Sequence, residues 1–498
     1  MQQRLQAQQE QLDQQAIQFK QFETQGQATA SASVPPTVGP SQPPAAAECP
    51  PAPTADPTPA GTIPPGILLP SWGVADGSCY PRIVVGGQYR MMLSSADNSY
   101  HPVSISDDLP DQSFVNERLR TWLTVQTSDH VEAYIQAQMG NVLWGTNGDL
   151  PKTFTAPFTA NDQTGVMLRY GYLTYHDDNV GRWQVGVQPW QDCFSQTLFS
   201  SDWDFDVGGV SWVRNFPEFA GGQMRFGIFE LVENGTTLVN ETFLMTLDVD
   251  RPIGEKDSVG FSAYFLPDRG GYSYPAPVFA PYQYAWDVWL GGRYRLGSLP
   301  VPVNGFAIFN IGDRQDLRNV PVFRHEGVGL KLEAGPLPVG LGKVSAQALY
   351  STGGSTPGGG FRTVAQSAED NFGAEGYWSY LMLTSPQGYS DVNDMGVSLQ
   401  NRGCGLLTVQ AKYDYPIYRR LTGTLAAGWL RSDTANPANG SEAMGTEVGN
   451  DFTVDFGGGL KADIGATVLF AGGFYSTAAG APPPATVYEA FSRLQLEF

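Results

Sequence analysis

Apolar and polar positions alternate with period two along most of this chain, from about Pro81 to its last residue. In the final eleven residues, Tyr488, Ala490, Leu494, Leu496 and Phe498 share one face, broken only by Ser492. Glu489, Arg493, Gln495 and Glu497 share the other, with Phe491 as the exception. Upstream, Val131, Ala133, Ile135 and Ala137 alternate with Glu132, Tyr134, Gln136 and Gln138. Phe243, Met245, Leu247 and Val249 alternate with Thr246, Asp248 and Asp250. Successive side chains of a strand point to opposite faces, so each segment predicts a strand with one greasy and one wet side. The wet sides carry Gln, Ser, Thr, Gly and spaced charges, whereas the outside of a soluble sandwich is densely charged. The pattern therefore predicts an all-β transmembrane antiparallel barrel around a water-filled lumen.

Connection lengths alternate as well. Those near 127–130, 176–181, 251–256 and 463–465 are short, and those at 95–113, 142–164, 188–206, 268–282, 353–376 and 433–450 are long. Short turns at one rim and long loops at the other are the outer-membrane arrangement. About twenty segments can be parsed, of which 207–214 and 377–385 are the weakest. An even number brings both barrel ends to one side, so the expectation is eighteen strands, within sixteen to twenty.

Two stretches precede the barrel, which is expected over 79–498. Residues 1–27 hold twelve Gln, and Leu5, Leu12 and Phe19 recur every seven residues. This predicts a short coiled-coil stalk with those three in its seam, the alternative being a Gln-rich disordered tail. Residues 28–78 carry thirteen Pro between Pro35 and Pro70, which predicts an extended, semi-rigid linker. On this reading, stalk and linker lie on the periplasmic, short-turn side.

Composition agrees with a membrane barrel. Of 498 residues, 16% are charged and 12% aromatic, against about a quarter charged in a soluble protein. The mean hydropathy of -0.22 is what a wall with every second residue facing water gives. No run of eighteen apolar residues is present, which excludes helical membrane spans. The net charge of -20 argues against nucleic acid and predicts a pore that prefers cations. Four cysteines, Cys49, Cys79, Cys193 and Cys404, are too scattered for a metal site; an oxidising periplasm would permit one bridge, Cys49 to Cys79. Residues 1–27 lack the apolar core of a signal peptide, so an exported protein would be a mature or truncated form.

The barrel region resembles bacterial outer-membrane porins. The residues that carry the resemblance are Phe114 to Arg120 (F-V-N-E-R-L-R), Gly186 to Trp190 (G-V-Q-P-W), Asp202 to Gly209 and the terminal Phe498. It is most similar to the homotrimeric general-diffusion porins of sulfate-reducing bacteria and, more distantly, to alginate-export-type barrels. The stalk and linker depart from a plain porin, and the acidity departs from an anion-exporting one. The resemblance implies a homotrimer in outer-membrane lipid and lipopolysaccharide, passing small hydrophilic solutes and ions. It also implies that Tyr488, Leu494, Leu496 and Phe498 form the signal read by the barrel-assembly machinery.

In general porins the third loop folds inward and brings carboxylates to the narrowest point, facing a basic ladder. The matching positions here are Asp202, Asp204 and Asp206, opposed by Arg90, Arg118, Arg120, Arg169 and Arg182. Two other readings stand beside this one. D-x-D-x-D could bind calcium, but Val207 and Val213 occupy the Gly and Glu positions of an EF-hand. The carboxylates could also form a solvated rim away from the solute path. No cofactor or enzymatic activity is expected: the four His show neither HExxH nor paired ligand spacing. The alternative function is an envelope tether, in which the stalk binds peptidoglycan or another layer and the barrel is narrow or closed.

Overall fold

The computed structural model describes residues 67–69, 81–97, 112–143, 166–201, 205–217, 221–232, 242–268, 282–316, 321–354, 359–364, 376, 378–386, 396–476 and 486–498. The chain divides into two compact units, 1–51 and 52–498, and every described residue belongs to the second. The coiled-coil seam at Leu5, Leu12 and Phe19 lies outside the described residues, as do Cys49 and Cys79.

A three-residue strand, β1 (Ile67–Leu69), comes first, inside the stretch read as linker. The wall then begins with β2 (Arg82–Asp97), β3 (Gln112–Gln126), β4 (Val131–Leu143), β5 (Val166–Asp177), β6 (Gly181–Pro189) and β7 (Asp206–Phe216). It continues with β8 (Gly222–Val232), β9 (Thr242–Ile253), β10 (Asp257–Asp268), β11 (Tyr282–Leu296), β12 (Val303–Asp316) and β13 (Pro321–Val339). The last six staves are β14 (Gly342–Ser351), β15 (Leu406–Tyr418), β16 (Leu421–Arg431), β17 (Ala443–Gly457), β18 (Leu460–Ala471) and β19 (Val487–Glu497). Each pairs antiparallel with the next, and β19 pairs with β2, so β2 to β19 close an eighteen-strand barrel. The weak segment 207–214 is realised in β7. The other, 377–385, forms no strand where it is described and lies in the 352–405 connection. The loop expected over 433–450 is shorter, because β17 begins at Ala443.

At the seam, Glu497 stands opposite Gln88, and Phe498 exchanges backbone hydrogen bonds with Gly87, its N–H donating at 3.0 Å and its carbonyl accepting at 2.8 Å. β1 then takes up the free edge of β2, Ile67 opposite Val85 and Leu69 opposite Ile83, running in the direction of β19. The closing stave is thus built from both ends of the barrel region. A sheet edge left open is a row of unmade hydrogen bonds, and β1 covers its last stretch.

Burial is inside out relative to a soluble protein. Leu93, Ile135, Leu173, Phe261, Val409 and Ile464 lie exposed on the outer face, Ile464 at 60%. Polar Gln188, Asp248, Asn310, Gln410 and Glu447 are buried on the inner one. Exposed aromatics gather at both ends of the staves: Tyr175, Trp183, Tyr418 and Phe498 near the short turns, and Trp429, Phe470 and Tyr488 near the long connections. Such girdles mark the two interfaces of a bilayer. The lumen holds the described parts of the connections 190–205 and 352–405, whose apolar residues Phe194, Leu198, Phe199, Phe361, Trp378 and Leu383 are buried.

Candidate channel constriction

The described part of the 190–205 connection reaches inward along the wall as far as β12 and comes back to β5. Trp190 Nε1 donates to Thr246 Oγ1 at 3.1 Å, and Arg225 stacks over the Trp190 ring while donating to the carbonyl of Gln191. Farther along, Phe194 packs edge-on against Phe306 of β12, in space that Gly291 leaves open: a Cβ there would lie 2.5 Å from the Phe194 ring. On its way back, the carbonyl of Ser201 accepts from Arg169 and Tyr170 of β5.

Asp192 organises this excursion. Its carboxylate accepts the backbone N–H groups of Phe194, Leu198 and Phe199 at 2.5, 2.6 and 2.9 Å. Burial pushes its carboxyl up to about 6, with the three N–H donors pulling partly the other way. A pKa raised on folding gives stability that is fully present below the ordinary value near 4 and lost as pH rises through about 6. The thermal midpoint of the wild type, relative to Asp192→Asn, is therefore expected to fall between about pH 4 and pH 7. The loss is about 3 kcal/mol. A pH-independent difference between the two proteins, measured by melting in detergent, would contradict it. Next to Asp192, burial pushes the Cys193 thiol up to about 12, and Arg225 Nη1 donates to its sulfur at 3.0 Å.

The basic residues singled out in the sequence fall into two groups. Arg90 and Arg118 stand directly opposite one another on β2 and β3, both on the inner face, with Arg120 opposite Gln88 one rung nearer the short turns. Arg118 donates to Gln88 at 3.2 Å and Arg120 to Gln138 at 2.7 Å. Arg169 sits at a register shift of β5 and pairs with Asp206 at 3.2 Å. Arg182 lies elsewhere, near the short turns, opposite His176 and Val213. Asp202 and Asp204 lie outside the described residues, and Asp206 meets Arg169 at close range instead of facing it across a gap.

Other charged groups of the lumen, among them the wet-face residues Asp248 and Asp250, were not singled out as part of a constriction. Arg293 bridges Asp250 and Asp248, and Asp248 also accepts from Tyr264 at 2.7 Å and from Ser262. His325 and Asp287 meet at 2.5 Å, both buried. Lys331 pairs with Glu333, which accepts from Tyr380 of the 352–405 connection at 2.6 Å. The two inward connections meet where Gly376 N–H donates to the carbonyl of Gln196 at 2.8 Å. Inward glycines were the available signal, since a wall position without a side chain leaves room for a chain to lie against it. Among the described residues, no group of three His, Cys, Asp or Glu could hold a metal ion.

No protein-family model matches this chain, and no curated protein matches its sequence. Among solved structures, OccAB1 of Acinetobacter baumannii superposes with a TM-score of 0.54 at 10% identity, over 84% of this chain and 97% of that one. OccAB4 of the same organism gives 0.52 at 12% identity, over 83% and 98%. The fold is that of bacterial outer-membrane porins.

Proposed function

We propose that this chain forms a passive outer-membrane channel for small hydrophilic solutes and ions. The observation that carries the reading is the inverted wall, apolar residues exposed outside and polar residues turned in, around a lumen narrowed by two infolded connections. A channel does no bond chemistry, and the charge and width of its narrowest point decide what passes. The net charge of -20, with about -16 beyond Tyr80 (43 acidic against 27 basic residues), supports a preference for cations. We further propose a homotrimer, with the stretch before the barrel serving as a periplasmic stalk.

Planar-bilayer recording tests the channel, its charge preference and the trimer. Stable conductance steps in triplets are expected, with a reversal potential on the cation side. Changing Asp202, Asp204 and Asp206 together to Asn is expected to reduce that selectivity, and an unchanged reversal potential would remove them from the solute path. An insulating barrel would leave the envelope tether as the remaining role.

A further inference from the structure

We infer that Glu447 is a positioning residue that latches the 378–384 segment into the lumen and so sets the open cross-section of the pore. This rests on the channel reading above. Glu447 lies on β17, faces inward and is fully buried. Its Oε1 accepts the backbone N–H groups of Met382 and Leu383 at 2.8 and 2.9 Å and the Thr467 hydroxyl at 2.9 Å. Its Oε2 accepts the Thr384 N–H at 2.9 Å and the Thr384 hydroxyl at 2.6 Å. Three successive N–H groups converging on one carboxylate form a nest, the geometry by which backbone binds an anion. Here the anion belongs to the barrel wall.

The rest of the berth is a single rung of the sheet. Glu333, Gln347, Gln410, Gly428 and Glu447 are cross-strand neighbours on β13 to β17. Tyr380 reaches Glu333, and Gln347 donates to the carbonyl of Trp378 at 3.1 Å. Gln410 Oε1 accepts from Tyr380 N–H at 2.8 Å and Ser379 Oγ at 3.1 Å. Gly428 gives room to Leu381, whose Cδ1 a Cβ there would meet at 2.9 Å. Within this rung the Glu447 contacts are charge-assisted and use both oxygens, and such bonds are about twice as strong as neutral ones. Without the carboxylate, three N–H groups would face a buried hole, and water in the lumen offers them a better partner.

The test uses the full chain in planar bilayers as wild type, Glu447→Ala and Glu447→Gln, each first checked for heat-modifiable migration. The alanine variant is expected to raise unitary conductance roughly twofold and to add open-state noise, as one of two infolded segments leaves the constriction. Formate or acetate added to this variant should refill the nest and return the current toward the wild-type level, with no effect on wild type. Ser385, buried in the intact protein, gives a readout independent of current. A Ser385→Cys probe should resist a membrane-impermeant maleimide in the wild-type background and react in the alanine background, relative to each parent without the probe. An assembled alanine variant with unchanged current and unlabelled probe overturns the latch. If alanine blocks assembly, the glutamine variant bears the same test, and wild-type current with an unlabelled probe overturns it equally. A wild type without current, whose probe still becomes labelled on removal of Glu447, would refute the channel and uphold the latch.

Discussion

Removing Phe498 is expected to lower the thermal midpoint of the assembled barrel substantially and to reduce the amount reaching the membrane. The deletion takes away a reciprocal pair of backbone hydrogen bonds with Gly87, at about 0.5–1.5 kcal/mol each. It also takes away a ring seated on Gly87, where a Cβ would lie 2.3 Å from the ring tip. Together these amount to about 2–4 kcal/mol at the one seam that converts a sheet into a barrel. Gly87→Val tests the same seat from the other side, since it leaves the terminal residue in place and obstructs its ring. Heat-modifiable migration on gels reads both variants, and a wild-type midpoint for the deletion would refute the argument. Because β1 continues this stave, removing 1–66 should be milder than removing 1–78, which also uncovers the edge of β2 at Ile83 to Val85.

Changing Arg90, Arg118 and Arg120 together to Gln is expected to give the largest shift in ion selectivity. The three guanidinium groups share the inner face of two neighbouring strands, where low-dielectric walls focus their field on the lumen. Glutamine keeps a polar, hydrogen-bonding side chain, shorter than arginine but still able to face the lumen, while three positive charges are lost. The cation-over-anion permeability ratio should rise about three- to tenfold, the size expected from a few kT of potential at a narrow site. Reversal potential under a salt gradient measures it, and no change would place these arginines off the ion path. Arg169 is a poorer choice for this test, because its ion pair with Asp206 and its bond to Ser201 give it a part in holding the 190–205 connection.

The barrel was legible because its pattern is local. A stave needs only that each residue differ from its neighbour, and Val131 to Gln138 declare a strand without reference to any other residue. About twenty segments could be parsed, and the even count expected when both barrel ends lie on one side set eighteen within sixteen to twenty; the two-faced segment ending in Phe498 was read as a wall stave. The segment 377–385 misled by the same logic. Its apolar residues are buried against the lumen wall, and Leu381, Met382 and Leu383 are all inside.

The sequence alone therefore determined the architecture and the two faces of the wall. Only the tertiary structure decided which connections turn inward and what holds them. Asp192 lies close in sequence to the N–H groups it gathers, yet nothing in its neighbourhood distinguishes it from a surface aspartate. Glu447 is more than sixty residues from Thr384, and its partners come together only when β14 to β18 are laid side by side. A period-two pattern specifies the face a side chain occupies, because that depends on backbone geometry within one strand. It cannot specify what stands opposite across a lumen, because that depends on closure of the whole sheet.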